Sequence, residues 1–184
     1  MTWQQEMTPL NIRPAISTDI PKLISLDHDY ATDHVWQMTL DFSEDQNQVT
    51  FREVRLPREV HVNYPRNPQA LLDDWTKKDL LLLAEEGDFL LGYLSLQLGL
   101  APACAWVENL VVDLEHRRKG IGAALITAAR NWCGKKSLHR LTLEMQPKNH
   151  PAIQFAYQQG FEFSGYNDQY YHNQEIAIFF STYI

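Results

Sequence analysis

The stretch from Val107 to Trp132 constrains this chain more than any other. It reads as a strand, a glycine-bearing turn and a helix: V-E-N-L-V-V-D, then L-E-H-R-R-K-G-I-G, then A-A-L-I-T-A-A-R-N-W. Leu110, Val111 and Val112 form a short apolar, β-branched run of the kind that fills a buried strand. Beyond the turn, Ile121, Leu125, Ala128 and Trp132 recur at the spacing of one helix face. Gly134 is the expected stop, with Lys135 and Lys136 just past it. Between strand and helix stand Arg117, Gly120 and Gly122, spaced R-x-x-G-x-G. Glycines there admit a ligand close to the backbone, and a helix start offers unpaired N–H groups and a positive dipole end. Arg118 and Lys119 add cationic side chains. Phosphate is the guest such a turn suits, although a tight strand-to-helix turn needs the same residues.

Residues downstream of the helix narrow the choice. Leu138–Glu144 reads as a second strand, and after it come Asn149, Ala152, Gly160 and Phe161, in the pattern N-x-x-A…G-F. Strand, R-x-x-G-x-G, helix, strand and N-x-x-A…G-F together resemble the acetyl-CoA core of the GNAT superfamily of N-acetyltransferases. The resemblance implies an α/β fold with a mixed, largely antiparallel central sheet flanked by helices. It implies acetyl-CoA as cosubstrate, with the pyrophosphate on the turn Arg117, Arg118, Lys119, Gly120, Ile121, Gly122 and Ala123. It also implies a pantetheine arm paired along Leu110, Val111 and Val112 and touched by Asn149 and Ala152.

Composition sets outer bounds. The chain has 184 residues, 45% hydrophobic and 21% charged, which suits one globular domain spanning 1–184. No apolar run approaches the ~20 residues that cross a bilayer, and the first residues do not read as a signal peptide. Cys104 and Cys133 are too few and too far apart in sequence for a disulfide scaffold, so reduced, buried thiols in a cytoplasmic protein are expected. A net charge of −7 argues against nucleic acid and suits a cationic small molecule or peptide amine as acceptor. Neither a nucleic-acid nor a membrane partner is expected, and a homodimer is left open. His28, His34 and His61 lack metal-ligand spacing, so no metal is expected.

Read in order, residues 1–8 look like a loose arm, and Leu10–Pro14 is a short strand. Ser17, Thr18 and Asp19 offer caps for a helix through Ile20, Leu23, Ile24 and Leu26. From about 28 to 78 the chain departs from the minimal core. Val35–Leu40 and Gln48–Leu56 read as a hairpin across Asp41–Gln46, Pro57 and Pro65 punctuate, and Asn67–Trp75 reads as a helix with proline at its start. By resemblance, this inserted segment shapes the acceptor pocket. Leu80–Ala84 and Phe89–Leu98 form a hairpin around Glu85-Glu-Gly-Asp88. Ala103–Asp113 is a strand, and Glu162–Tyr170 and Glu175–Tyr183 are further strands, the last apolar enough to be interior.

The C-terminal half, with Leu138–Asn149, Phe155, Gly160, Phe161, Gly165, Tyr171-His-Asn173 and Ile176–Phe179, resembles streptothricin acetyltransferases. Glu108 in W-V-E-N-L-V-V matches the same group. These enzymes acetylate an amine of an antibiotic, and N-terminal acetyltransferases of ribosomal proteins share nearly the same core. Either acceptor is compatible, as is an acyl-CoA-binding protein that has lost catalysis.

Acetyl transfer needs a neutral amine from a group whose unperturbed pKa is near 10.4, a base for its proton and a donor for the thioester oxygen. The resemblance puts that donor at a backbone N–H near Val111–Val112. Glu108, on the same strand, is the candidate base or substrate anchor, or else a strand-end charge. Glu144 closes the next strand and offers an anchor or a shared base. Asn149 before His150-Pro151 suits an N-cap as well as a pantetheine contact. The family commonly has tyrosine seven residues after this asparagine, as acid for the departing thiolate. Here that position is Ala156, and the tyrosine is Tyr157, turned about 100° round a helix. Ala152 and Ala156 are then expected on the cofactor side and Tyr157 beside Ile153, where it packs. Tyr157 stays among the catalytic candidates with Glu108, Glu144 and Tyr171, and Tyr171 or a water is the alternative donor to the thiolate. Tyr166, Tyr170 and Tyr171 are candidates for the wall of an acceptor pocket.

Overall fold

The computed structural model describes residues 9–184; the arm read at 1–8 lies outside them. Contacts divide the described residues into two compact units. One comprises residues 9–28, 67–142 and 183–184, and the other 29–66 and 143–182.

The first unit is built on β1 (Asn11–Pro14), β4 (Leu80–Glu86), β5 (Phe89–Gln97), β6 (Cys104–Val112) and the opening residues of β7 (Arg140–Met145), hydrogen-bonded in the order β1-β4-β5-β6-β7. The β1–β4, β4–β5 and β5–β6 pairs are antiparallel. β4 and β5 are apolar on both faces because both faces are covered, and Leu83, Ala84, Tyr93, Leu94 and Leu96 are almost completely buried. They meet at a two-residue turn, Gly87-Asp88, between the paired Glu86 and Phe89, with Gly87 at φ 59°.

Helix α3 (Ile121–Lys135) packs on β4, β5 and β6. It buries Ile121, Leu125, Ala129 and Cys133, a strict i, i+4 stripe, with Ile126 beside them. Ile121 and Leu125 of the expected face are on this stripe, whereas Ala128 and Trp132 flank it half-buried, and Trp132 lies under the Lys136 ammonium at 5.5 Å. Burying Leu125 alone contributes about 2 kcal/mol. Gly134 does not stop this helix. Ser137 N–H bonds Gly134 O at 3.1 Å and Leu138 N–H bonds Cys133 O at 3.1 Å, which is a Schellman ending. Ser137, at φ 55°, takes the left-handed place usually given to glycine. Cys104 and Cys133 are free and buried. Burial, with Cys104 nearby, pushes the Cys133 thiol up to about 11, so it stays an unreactive thiol.

Shorter elements complete the unit. Ser17–Asp19 is a 3-10 turn leading into α1 (Ile20–Ile24). The Asp19 carboxylate does not cap α1; it accepts from Ile16 N–H and from Arg13. Arg13 also bonds Glu85 across the β1–β4 pair. The helix expected at 67–75 is 3-10 over Pro68–Ala70, α over Leu71–Asp74 (α2) and 3-10 again over Trp75–Lys77, and Asn67 caps it by accepting from Gln69 N–H.

The second unit contains the hairpin of β2 (Tyr30–Phe42) and β3 (Asn47–Val62), helix α4 (His150–Gln158), and the order β7-β9-β8 with β8 (Glu162–Asn167) and β9 (Ala177–Tyr183). The interior place expected for the last strand is the one β9 holds. The hairpin is longer than its sequence pattern, because Pro57 does not end β3. Thr32 pairs with Val60 but His34 with Arg55, so the register slips by three and residues 56–59 bow out. A bulge requires no N–H from Pro57. Trp36, Phe51, Tyr157, Phe163 and Phe180 form a ring cluster with centroids 5.2–6.3 Å apart. The inserted segment therefore divides, its hairpin in this unit and its helical turns in the first. Among the described residues no helix is long and apolar enough to cross a membrane.

Candidate active site

In the first unit β6 ends in the glycine turn. Leu114–His116 is a 3-10 turn, Arg118 sits at φ 63° and Gly120 at φ 85°, and α3 begins at Ile121. Gly120 occupies the N-cap position and no side chain caps the helix, so the first amides of α3 lack an intrahelical acceptor. A Cβ built on Gly120 meets nothing within 4 Å; the glycine is required by its backbone angle. Arg118, Lys119 and Gly120 are exposed, Gly122 and Ala123 half-buried, and Ile121 points into the core. Arg117 has a different part from its neighbours. Its Nε donates to Val112 O at 3.0 Å and its Nη2 to Asp27 O at 2.9 Å, so the guanidinium ties the turn to the end of β6.

β6 carries the other candidates of this unit. Asp113 N–H bonds Leu91 O at 2.8 Å, and Val111 pairs with Tyr93 in the same register. By antiparallel alternation the N–H of Val111 is turned toward β5, while those of Leu110 and Val112 point to the opposite edge. Gly92, opposite Val112, allows this close approach, since a Cβ there would stand 2.5 Å from Val111 O. The register then breaks: Leu96 pairs with Val107 and Ser95 with Asn109, leaving Glu108 as the extra residue of a bulge. A bulge re-aims a side chain. Asn109 Nδ2 donates to Ser95 Oγ at 2.7 Å and pins the break. Glu108 Oε2 lies 2.8 Å from the Lys78 ammonium, both side chains mostly enclosed. The pair is aligned too poorly for a hydrogen bond, and this buried oxygen has no other partner. The sequence reading missed Lys78, which follows the last 3-10 turn and shares no local pattern with β6.

In the second unit the Glu144 side chain is 1% exposed and bridges to Arg66. Tyr170 hydroxyl donates to its other oxygen at 2.7 Å. The Arg66 guanidinium lies over the Tyr171 ring at 5.7 Å, and Tyr170 meets Tyr171 edge to face. Burial first, then the Glu144 charge, pushes the Tyr171 hydroxyl well above the usual phenol range. Burial and its bond to Glu144 do the same for Tyr170. Tyr171 thus keeps its proton at any physiological pH and serves better as a hydrogen-bond donor than as a proton source. Beside this cluster Glu175 accepts from Lys148 and from Gln146, whose own oxygen accepts from Tyr30 hydroxyl at 2.7 Å. Arg66 was missed from the sequence; only its 78-residue separation from Glu144 distinguishes it from any surface arginine.

Asn149 caps α4, its Oδ1 accepting from Ala152 N–H at 3.1 Å. Ala152 is half-buried, but Ala156 is completely buried. Ala156 is therefore no part of an open cofactor face, contrary to the helical expectation. Tyr157 is 46% exposed and packs edge to face on Phe180 at 5.2 Å.

Comparison with known proteins agrees with this architecture. Over 137 residues the chain is 27% identical to a protein of Bacillus subtilis (strain 168) assigned as a ribosomal-protein alanine N-acetyltransferase, covering 68% of this chain and 89% of that one. Over 61 residues it is 36% identical to the streptothricin acetyltransferase of Escherichia coli, 33% of this chain and 35% of that one. Its fold superposes on a nourseothricin acetyltransferase with a TM-score of 0.80 at 24% identity, over 95% of this chain and 98% of the other. A protein of Bacillus anthracis str. Ames assigned as a streptothricin acetyltransferase, in complex with acetyl coenzyme A, gives 0.76 at 20% identity over 96% and 100%. The profile described as the acetyltransferase (GNAT) family matches residues 41–161, and the chain belongs to that family of N-acetyltransferases.

Proposed function

We propose that the protein transfers acetyl from acetyl-CoA to a primary amine of a small cationic molecule of the streptothricin kind. The observation that carries the cofactor half is the uncapped start of α3, with Arg118 and Gly120 both left-handed just before it. Amides there, with the charges of Arg118 and Lys119, suit a pyrophosphate. The N–H groups of Leu110 and Val112, turned away from β5, support pantetheine pairing as the resemblance implies, with Val112 N–H as donor to the thioester oxygen. For Asn149 and Ala152 the contact with the pantetheine arm rests on the family resemblance alone. The transfer as derived from these residues calls on no metal.

Glu108 takes the amine proton, directly or through a water, as nitrogen attacks the thioester carbon. The C–S bond then breaks and the thiolate, near pKa 8.5, leaves; the resemblance to streptothricin acetyltransferases assigns the hydrogen bond to it to Tyr171. Lys78 orients Glu108, and an incoming ammonium competes with it for Oε2. Glu144 already holds Arg66 and Tyr170, which favours a positioning role over that of base. The likeness of the C-terminal half to streptothricin acetyltransferases supports the small-molecule acceptor. The Bacillus subtilis relative favours a second reading, acetylation of a protein N-terminus.

A thiol-release assay with acetyl-CoA against streptothricin, polyamines, aminoglycosides and N-terminal peptides decides between them. Turnover on streptothricin and not on peptides supports the first reading; peptide turnover alone replaces it with the second. Turnover on no amine, with acetyl-CoA still bound, would leave a coenzyme-binding protein. With the accepted amine, Glu108→Gln is expected to lower kcat/KM and remove the acidic limb of its pH profile. An unchanged profile would return Glu108 to a structural role.

A further inference from the structure

The second unit gathers a set of side chains that the acetyl-transfer chemistry does not use. His34 and His150 stack with ring centroids 4.8 Å apart. Asp33 Oδ1 lies 2.8 Å from His34 Nδ1, and Glu53 Oε2 lies 3.1 Å from His150 Nε2. One ligand atom from each of Asp33, His34 and His150 falls within 4.8 Å of the others. We propose that Asp33, His34 and His150, with Glu53 as fourth ligand, bind a divalent transition-metal ion of the zinc class.

The backbone prepares this arrangement. Neighbouring residues of a regular strand point to opposite faces, yet Asp33 and His34 meet side by side. They do so because the β2–β3 register slips between Thr32 and His34. Buried Thr32 fixes the slip, its Oγ1 donating to His34 O at 2.6 Å and accepting from His34 N–H. His150 arrives as the first residue of α4, and Glu53 from β3, opposite Trp36. Three elements far apart in sequence thus present two imidazoles between two carboxylates. His34 and His150 are mostly enclosed, while Asp33 and Glu53 are about half exposed, so an ion can enter from solvent.

Donor chemistry selects the guest. Two nitrogens and two carboxylate oxygens suit zinc, nickel or copper, whereas calcium and magnesium prefer oxygen alone. Ligands on one zinc stand about 3.4 Å apart in a tetrahedron. Asp33, His34 and His150, already within 4.8 Å of one another, reach that spacing by rotation about their side-chain bonds, with loss of the His34 Nδ1 proton where that nitrogen ligates, and Glu53 follows from its contact with His150. A bound ion would cross-link β2, β3 and the first turn of α4, next to the Asn149 cap. Its role is to hold the hairpin and that helix together, and no sequence spacing signals it, because His34 and His150 lie 116 positions apart.

The test uses the full chain after exhaustive chelation, titrated with zinc chloride in a calorimeter and with cobalt(II) under visible absorption. One zinc per chain, tetrahedral cobalt bands and a raised Tm are expected. His34→Ala and His150→Ala should each weaken zinc by about tenfold or more, while His61→Ala, paired only with Asp29, should bind as the parent does. Circular dichroism checks each fold, and Asp33→Asn replaces any variant that fails to fold. Absence of saturable zinc binding in the parent chain would overturn the proposal. So would equal affinity in folded His34→Ala and His150→Ala.

Discussion

Arg66→Met isolates the energetic role of the Glu144 cluster. The substitution keeps most of the side-chain stem and removes the guanidinium from a carboxylate whose side chain is 1% exposed. Breaking a fully buried ion pair costs about 3–5 kcal/mol, because one charge is left without compensation. Two features lower that figure here. Tyr170 still donates to Glu144 at 2.7 Å, and the Arg66 side chain is 32% exposed, so water enters on its removal. The expected loss is then about 2–3 kcal/mol. With a urea m-value of about 2–3 kcal/mol/M, the midpoint moves down by about 1 M. Adding Glu144→Gln to Arg66→Met removes the orphaned charge while keeping an acceptor for Tyr170, and most of the loss should return. The pairwise coupling from the cycle should then be about 2 kcal/mol, and moderate salt should barely change it. Urea unfolding at neutral pH of the parent, both single variants and the double variant measures all of this. If Arg66→Met shifts the midpoint no more than an ordinary surface change, and the double variant is no more stable than it, the buried-pair reasoning is wrong.

Other perturbations separate structure from chemistry. Gly120→Val meets no atom but must adopt φ 85°, at a cost of about 1–2 kcal/mol; the fold should survive while acetyl-CoA affinity drops about tenfold or more, and calorimetry showing unchanged affinity would remove the phosphate assignment. Tyr171→Phe should lower kcat about tenfold with little change in coenzyme affinity, whereas Tyr157→Phe, a ring packed on Phe180, should stay near the parent rate; the reverse order would put Tyr157 at the thiol. Hydrogen bonds from Arg13 hold Asp19 and Glu85 below their usual carboxylate range, so the stability they contribute is complete above about pH 4.5 and is lost as pH falls through the depressed native values. Arg13→Met should therefore cost about 1 kcal/mol at pH 7 and flatten the acid limb of the stability profile; equal losses at pH 7 and pH 3 by urea unfolding would contradict it.

Local chemistry determined much of this protein. The glycine turn, the strands on either side of it and helix α3 are readable from residues 107–132, because a left-handed glycine and an apolar stripe depend on neighbours a few positions away. The same is true of the Asn149 cap and of the offset that leaves Tyr157 packing on Phe180. Where local rules misled, a longer-range arrangement had decided. Gly134 reads as a helix stop, but the Schellman bonds of Ser137 and Leu138 carry α3 past it. Pro57 reads as a strand end, but a three-residue slip in the pairing with β2 absorbs it. The partners of the charged candidates came from tertiary structure alone. Lys78 beside Glu108, Arg66 on Glu144, and His150 against His34 join residues 30, 78 and 116 positions apart. No periodicity connects such positions, because an ion pair or a ring stack depends on distance after folding and on the exclusion of water, and both are set only when the strands and helices have packed.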